Sequence, residues 1–219
     1  MCTEVPIPNI TRPRRAPTPG PLVVGLVGPA GSGKSTVARV LAEAGARVLD
    51  ADRMGHEVTD GDATVRAALA AEYGPDIYRA DGTLDRKRVA TQVFGDPAAL
   101  TRLNWLVHPR ILEHLRAGIA AATREGFTGA LIVDAALMLD WGFEHECDAV
   151  VAVVAPPALQ LARLMAARGW SEGDARQRLE RARSNETFAS LADEVIVNDQ
   201  GETETAAVAR AVLARLFAR

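Results

Sequence analysis

The chain has 219 residues and a formal net charge of −3. That length suits one α/β domain with a small inserted subdomain, and the charge gives no global case for nucleic acid or an anionic membrane as partner. The two cysteines, Cys2 and Cys147, exclude a disulfide framework and lack metal-ligand spacing. No apolar run spans a bilayer and no signal-peptide core opens the chain, so the expected setting is reducing and cytoplasmic.

Residues 1–20 carry Pro6, Pro8, Pro13, Pro17 and Pro19 among Arg12, Arg14 and Arg15. Proline blocks helices and ladders and little here can be buried, so a flexible tail is predicted ahead of a domain spanning 21–219. Leu22–Val27 follows as a nearly all-apolar strand, the pattern of a central parallel strand buried on both faces. The next residues, Gly28-Pro29-Ala30-Gly31-Ser32-Gly33-Lys34-Ser35, fit G-x-x-x-x-G-K-[ST]. Glycines let the backbone curl so that its N–H groups face a phosphate chain, and a helix starting near Lys34 adds its positive end. The nucleotide-binding set is therefore Gly28, Ala30, Gly31, Ser32, Gly33, Lys34, Ser35 and Thr36. Lys34 reaches the β- and γ-phosphates and the Ser35 hydroxyl ligates Mg²⁺.

The helix after the loop carries Val37, Val40 and Leu41 on one face and ends at Gly45. Residues 47–49 form a second strand that runs into Asp50-Ala51-Asp52. Ligands of open α/β sheets lie beyond the carboxyl ends of strands, which puts both aspartates on the phosphate side. Their period-two spacing points them the same way if the chain stays extended; the alternative is that they cap a turn.

From about 55 to 125 no strong strand appears. Helices are expected over Ala63–Tyr73, over 85–94, and from Asp96-Pro97, with a separate one from His108-Pro109 carrying Ile111, Leu112, Leu115 and Ile119. Such a run between two strands is a helical insertion, suited to covering a second substrate. The third strand, 130–133, ends at Asp134, which either holds Mg²⁺ through water or merely closes the strand. Ala149–Val154 is the fourth strand, and Pro156-Pro157 opens a helix with Arg163 and Arg168. Gly169-Trp170 breaks it, and Ser171 with Asp174 resembles a capping box. Arg176, Arg178, Arg181 and Arg183 follow, mixed with Glu172, Glu180 and Glu186. The segment from about 163 to 190 has the position of a lid, whose arginines either stabilise charge on a transferring phosphoryl group or form a solvated face. Glu194–Val197 is the fifth strand and 203–217 the closing helix. The fold class is α/β: a phosphate-loop NTPase fold, with a parallel five-stranded sheet and helices on both faces. By analogy with other phosphate-loop kinases its strand order is 2-3-1-4-5.

The chain resembles the dephospho-coenzyme A kinase family over nearly all its length after residue 20. The resemblance rests on Gly31-Ser32-Gly33-Lys34-Ser35-Thr36, Asp50-Ala51-Asp52, Asp81-Gly82-Thr83-Leu84-Asp85-Arg86, Val93-Phe94 and His108-Pro109, then on Gln160-Leu161-Ala162-Arg163 and Ala192-Asp193-Glu194-Val195-Ile196-Val197-Asn198. The phosphate loop is shared by many families; the Asp-Ala-Asp and His-Pro pairing is far more specific. The chain departs from the family at Pro29-Ala30, where Gly-Ile is usual, at 136–140, where Pro-Leu-Leu-Phe-Glu is usual, and at Ala182, where a glutamine is usual.

The resemblance implies transfer of phosphate from ATP, with Mg²⁺, to the ribose 3′-hydroxyl of dephospho-CoA, the last step of coenzyme A biosynthesis. Asp52 would be the base and Asp50 would orient it or the metal. Lys34 with Arg163 or Arg168 would offset charge on the transferred group. His108 would line the acceptor pocket or simply sit at a helix entry, and Leu137 would contact the acceptor. A kinase of a nucleoside or sugar, or an inactive nucleotide-binding paralogue, is the rival reading. No nucleic acid or membrane partner is expected, and the chain should be a monomer or weak homo-oligomer.

Overall fold

The computed structural model describes residues 20–218, without the side chain of Arg168; the predicted tail, 1–19, lies outside the described residues. In chain order the elements are β1 (Leu22–Val27), α1 (Lys34–Glu43), β2 (Arg47–Asp50), α2 (Ala51–Gly61), α3 (Ala63–Tyr73), α4 (Arg86–Val93), α5 (Pro97–Arg124), β3 (Ala130–Asp134), α6 (Met138–Trp141), β4 (Ala149–Val154), α7 (Pro157–Arg168), α8 (Glu172–Glu180), α9 (Asn185–Ser190), β5 (Glu194–Val197) and α10 (Glu202–Phe217). The described residues divide into two compact units, one made of those up to Leu49 and from Ala121 onward, the other of Asp50–Ala120.

The first unit holds the sheet, in the expected order β2-β3-β1-β4-β5. Strand β1 is central and pairs in parallel with β3 (Val24 opposite Ile132) and with β4 (Leu26 opposite Val151), and β4 pairs in parallel with β5 (Val153 opposite Ile196). The apolar runs of β1, β3 and β4 are buried on both faces, as a central parallel strand requires. On one face Val24, Leu26, Ile132, Val151, Val153 and Ile196 pack with Val37, Val40 and Leu41 of α1 and Ala209, Val212 and Leu216 of α10. On the other, Gly25 leaves room for sulfur: a Cβ there would stand 2.6 Å from Met138 Sδ and 3.1 Å from Cys147 Sγ. Register is set at the strand starts by aspartates. The Asp148 carboxylate accepts from Val23 N–H at 2.8 Å while Asp148 N–H donates to Val23 O. Asp193 makes the same reciprocal pair with Val150, also at 2.8 Å.

The second unit is helical. Asp60, near the end of α2, accepts from Leu84 N–H at 2.9 Å and pairs with Arg86 at 3.3 Å, fastening the 78–84 loop. Arg66 lies 4.2 Å over the Tyr78 ring, and the Tyr78 hydroxyl donates to Thr59 O. Val65, Leu69, Ile77, Leu84, Val89, Ile111 and Leu115 form the buried interior.

One expectation about this unit is corrected. No separate helix starts at His108-Pro109; α5 runs unbroken through Pro109. Proline removes one helical hydrogen bond, to the carbonyl four residues back, which belongs to Trp105. Trp105 is 77% exposed, so water can satisfy that carbonyl, while buried Val107, Ile111, Leu115 and Ile119 carry one apolar stripe across the proline.

Candidate active site

The phosphate loop is shaped by what its glycines exclude. Gly28 has φ +148, and a Cβ there would overlap the Val153 carbonyl of β4. Gly33 has φ +95, and a Cβ there would overlap the Asn198 amide. Each position therefore demands glycine by conformation and by space. Inside the turn, Ser32 N–H donates to Pro29 O at 3.2 Å. Ser32 is fully buried, and its hydroxyl has no hydrogen-bond partner among the described residues.

Helix α1 opens at Lys34 with no side-chain cap and no acidic residue in its first turn. Its leading N–H groups and positive dipole end are thus left for an anion. Lys34 Nζ donates to Gly28 O at 3.2 Å, folded back along the loop. Ser35 is exposed and Thr36 partly buried on the same first turn.

Behind the loop lies a network that sequence reasoning missed. Arg163 of α7 donates from Nη1 to Gly31 O and to Ser32 O, both at 3.3 Å, and from Nη2 to Asn198 Oδ1 at 3.2 Å. Its guanidinium is thus engaged with loop carbonyls. Asn198, just past β5, donates to Ser32 O at 2.8 Å and accepts from Thr205. Gln160 donates to Ala155 O and to Asn185 Oδ1, and Asn185 returns a bond to Ala155 O, which anchors the start of α9 to the end of β4. An amide immediately after an apolar strand was the only local sign of Asn198's role.

The segment read from the sequence as a lid takes in the end of α7, then α8 and α9. Ser171 accepts from Asp174 N–H at 3.2 Å, the capping geometry expected from the sequence. Arg176 pairs with Glu172 on its own helix, and Arg183 pairs with Asp140 of α6 at 2.7 Å, a hydrogen bond that raises the Arg183 pKa. Arg178 and Arg181 are exposed and make no ion pair among the described residues. Arg168 ends α7, and its side chain lies outside the description. Pro29, Gln160, Leu161, Leu179, Arg183 and Asn185 help line a cleft of about 470 Å³ between the phosphate loop and helices α7 to α9. Asp134 ends β3, partly buried, level with Leu26 of β1. Leu137 is exposed at the N-cap of α6.

Three predicted residues belong to the second unit. Of the two alternatives for Asp50-Ala51-Asp52, extended chain or cap, the structure shows the cap: Asp50 is the N-cap of α2, accepting from Arg53 N–H at 2.9 Å, and Asp52 is in its first turn. Capping supplies acceptors for orphan helix N–H groups, a gain that further extension would forgo. Both carboxylates are exposed. His108 is partly buried in the middle of α5, so the helix-entry alternative does not hold.

A model of the family described as dephospho-CoA kinase matches residues 22–204, from the first residue of β1 into the first turn of α10. The chain belongs to the dephospho-CoA kinase family. It is 36% identical over 183 residues to the dephospho-CoA kinase of Syntrophus aciditrophicus, covering 84% of this chain and 77% of that one. A crystal structure of a Thermus thermophilus protein superposes with a TM-score of 0.75 at 29% identity, covering 90% of this chain and 98% of that one. A dephospho-CoA kinase structure from Campylobacter jejuni shares the fold at a TM-score of 0.60 and 21% identity, covering 89% of this chain and 98% of that one. The matched residues take in the loop, Asp50, Asp52 and His108, and the departures at Pro29-Ala30, 136–140 and Ala182 lie within them.

Proposed function

We propose that this chain transfers the γ-phosphoryl group of ATP to the ribose 3′-hydroxyl of dephospho-CoA, giving ADP and coenzyme A, in the cytoplasm and as a monomer or weak homo-oligomer. The observation that carries the reading is a family match that includes an uncapped α1 start with Lys34 on it. In the step itself the 3′-oxygen attacks the γ-phosphorus, the bond from that phosphorus to the β–γ bridging oxygen breaks, and the hydroxyl proton passes to a carboxylate. Asp52, an exposed acid in the first turn of α2, is the base, and Asp50 beside it in sequence orients it. Lys34 stabilises charge growing on the transferred group, while loop N–H groups from Gly31 to Ser35 hold the β-phosphate. His108 and Leu137 contact the acceptor.

Arg163 serves differently from the sequence expectation in this reading. Bonded to Gly31 O and Ser32 O, it shapes the loop, and the direct phosphate contact falls to Arg168 or to Arg178 and Arg181 of the lid.

Mg²⁺ fits the residues present as an ion brought by the nucleotide. No cluster of three or more His, Cys, Asp or Glu among the described residues could hold a metal. Mg²⁺ asks for few protein ligands when phosphates and waters supply the rest. Ser35, exposed at the start of α1, and Asp134, at the end of β3, would hold it. When bound it would neutralise charge on the β- and γ-phosphates.

The test is direct: incubate the chain with ATP, Mg²⁺ and dephospho-CoA and separate the products. Coenzyme A and ADP in equal amounts are expected. Phosphorylation of a nucleoside or sugar in place of dephospho-CoA, or no transfer at all, overturns the reading.

A further inference from the structure

Asn198 joins three elements behind the phosphate loop. Its own N–H donates to Val154 O at 2.7 Å, extending the pairing of β5 with β4 by one rung. Its side chain is only 5% exposed. Arginine can only donate, so the side-chain atom facing Arg163 Nη2 at 3.2 Å is the oxygen, which also accepts from Thr205 Oγ1 at 3.0 Å. That orientation commits the NH₂ group to Ser32 O at 2.8 Å. Arg163 Nη1 donates to the same carbonyl at 3.3 Å.

Two donors from different elements on one carbonyl fix its direction. No peptide bond among the described residues is cis, and a trans peptide is planar, with its C=O and N–H on opposite sides. Holding Ser32 O on the far side of the loop therefore turns the Gly33 N–H toward the near side. A backbone donor aimed before the ligand arrives costs no reorganisation when charge develops. The buried amide does this without a carboxylate, so it adds no negative charge beside a site meant for an anion.

We propose, on the kinase reading above, that Asn198 is a positioning residue for phosphoryl transfer, aiming the Gly33 N–H at the triphosphate through the Ser32 carbonyl. Thr205 and Arg163 keep its amide in the required orientation, and Arg163 links α7 to the same peptide.

Asn198→Leu tests this, because leucine matches the size and leaves the charge unchanged. ATP affinity, titrated without acceptor, should fall about tenfold, the scale of one well-placed hydrogen bond. In turnover, kcat should also fall about tenfold, while KM for dephospho-CoA stays put. A purely structural role would lower the melting temperature and leave ATP affinity and kcat of the folded protein at wild-type values; that result overturns the proposal. Should Asn198→Leu fail to fold, Thr205→Val, which removes only the hydroxyl donation to the amide, is expected to weaken ATP binding about threefold. Unchanged affinity there overturns it equally. Because the titration needs no acceptor, a wild-type chain that binds ATP but leaves dephospho-CoA untouched overturns the kinase reading separately.

Discussion

The phosphate loop and the second unit handle charge in opposite ways. In Asp50–Ala120 five arginines are matched with carboxylates: Arg53 with Glu57, Arg86 with Asp60, Arg88 with Asp76, Arg102 with Glu72 and Arg110 with Glu113. Around the phosphate loop Lys34 and Arg163 are held by carbonyls and an amide, with no carboxylate partner among the described residues. The helix starts differ in the same sense. Helices α2, α3, α4 and α5 open on Asp50, Asp62, Asp85 and Asp96, whose carboxylates accept the leading N–H groups. Helix α1 opens on Gly33 with no acid in its first turn. A carbonyl fixes a cation without cancelling it, whereas a carboxylate does both. The loop's positive charge and orphan N–H groups are thereby reserved for an anionic ligand, while the second unit spends its own on structure.

The largest expected effect removes that reserved charge. Lys34→Met keeps the length of the side chain and should cut turnover with ATP and dephospho-CoA by about 10³-fold, as loss of a charge-stabilising donor does. A loss under about tenfold would show that the carbonyl-held lysine is only part of the loop's structure. Next is Asp52→Asn, which should cost at least about 10²-fold in turnover, in the range of general-base losses. ATP affinity by titration should not change. Near-normal turnover would leave Asp52 with the same helix-start role as the other acids of its unit.

Most of the first unit was legible in the sequence for one reason: its signals are local. Leu22–Val27 and Ala149–Val154 are unbroken apolar runs, and Gly28 and Gly33 sit where no Cβ fits. What escaped was non-local. Asn198 reaches Ser32 across 166 positions, and nothing in either neighbourhood announces the pairing. Arg163 has the residue type and place of a phosphate ligand, and its carbonyl partners at Gly31 and Ser32 appear only in three dimensions. Two local patterns each allow two structures, and only three dimensions decide between them. Asp-Ala-Asp after a strand reads alike whether the chain continues or caps a helix, and capping won at Asp50. Pro109 signals a break, but the exposed carbonyl side at Trp105 and the buried stripe at Val107 and Ile111 let α5 pass through.

The smaller effects separate kinds of carboxylate pairing within the second unit. For Asp60, burial pushes the carboxyl pKa up, but the Leu84 N–H and the Arg86 guanidinium outweigh it and hold it below the ordinary value. Its stabilisation is therefore complete above the unfolded aspartate value of about 3.9 and is lost as pH falls through the lower folded value. Asp60→Asn should cost about 1–3 kcal/mol in urea unfolding at pH 7, and the gap to wild type should narrow below about pH 4. A gap independent of pH would assign the effect to shape. Arg88 and Asp76 form the opposite case, an ion pair at 2.9 Å whose side chains are 51% and 71% exposed. Water solvates both groups in the unfolded and folded chain alike, and the pair gains little beyond the entropy lost in holding it. Arg88→Ala should leave the melting temperature unchanged within about 1 °C, in low salt as in high. A drop of several degrees, shrinking with salt, would mean that surface pairing in this unit stabilises the fold as the partly buried Asp60 contacts do.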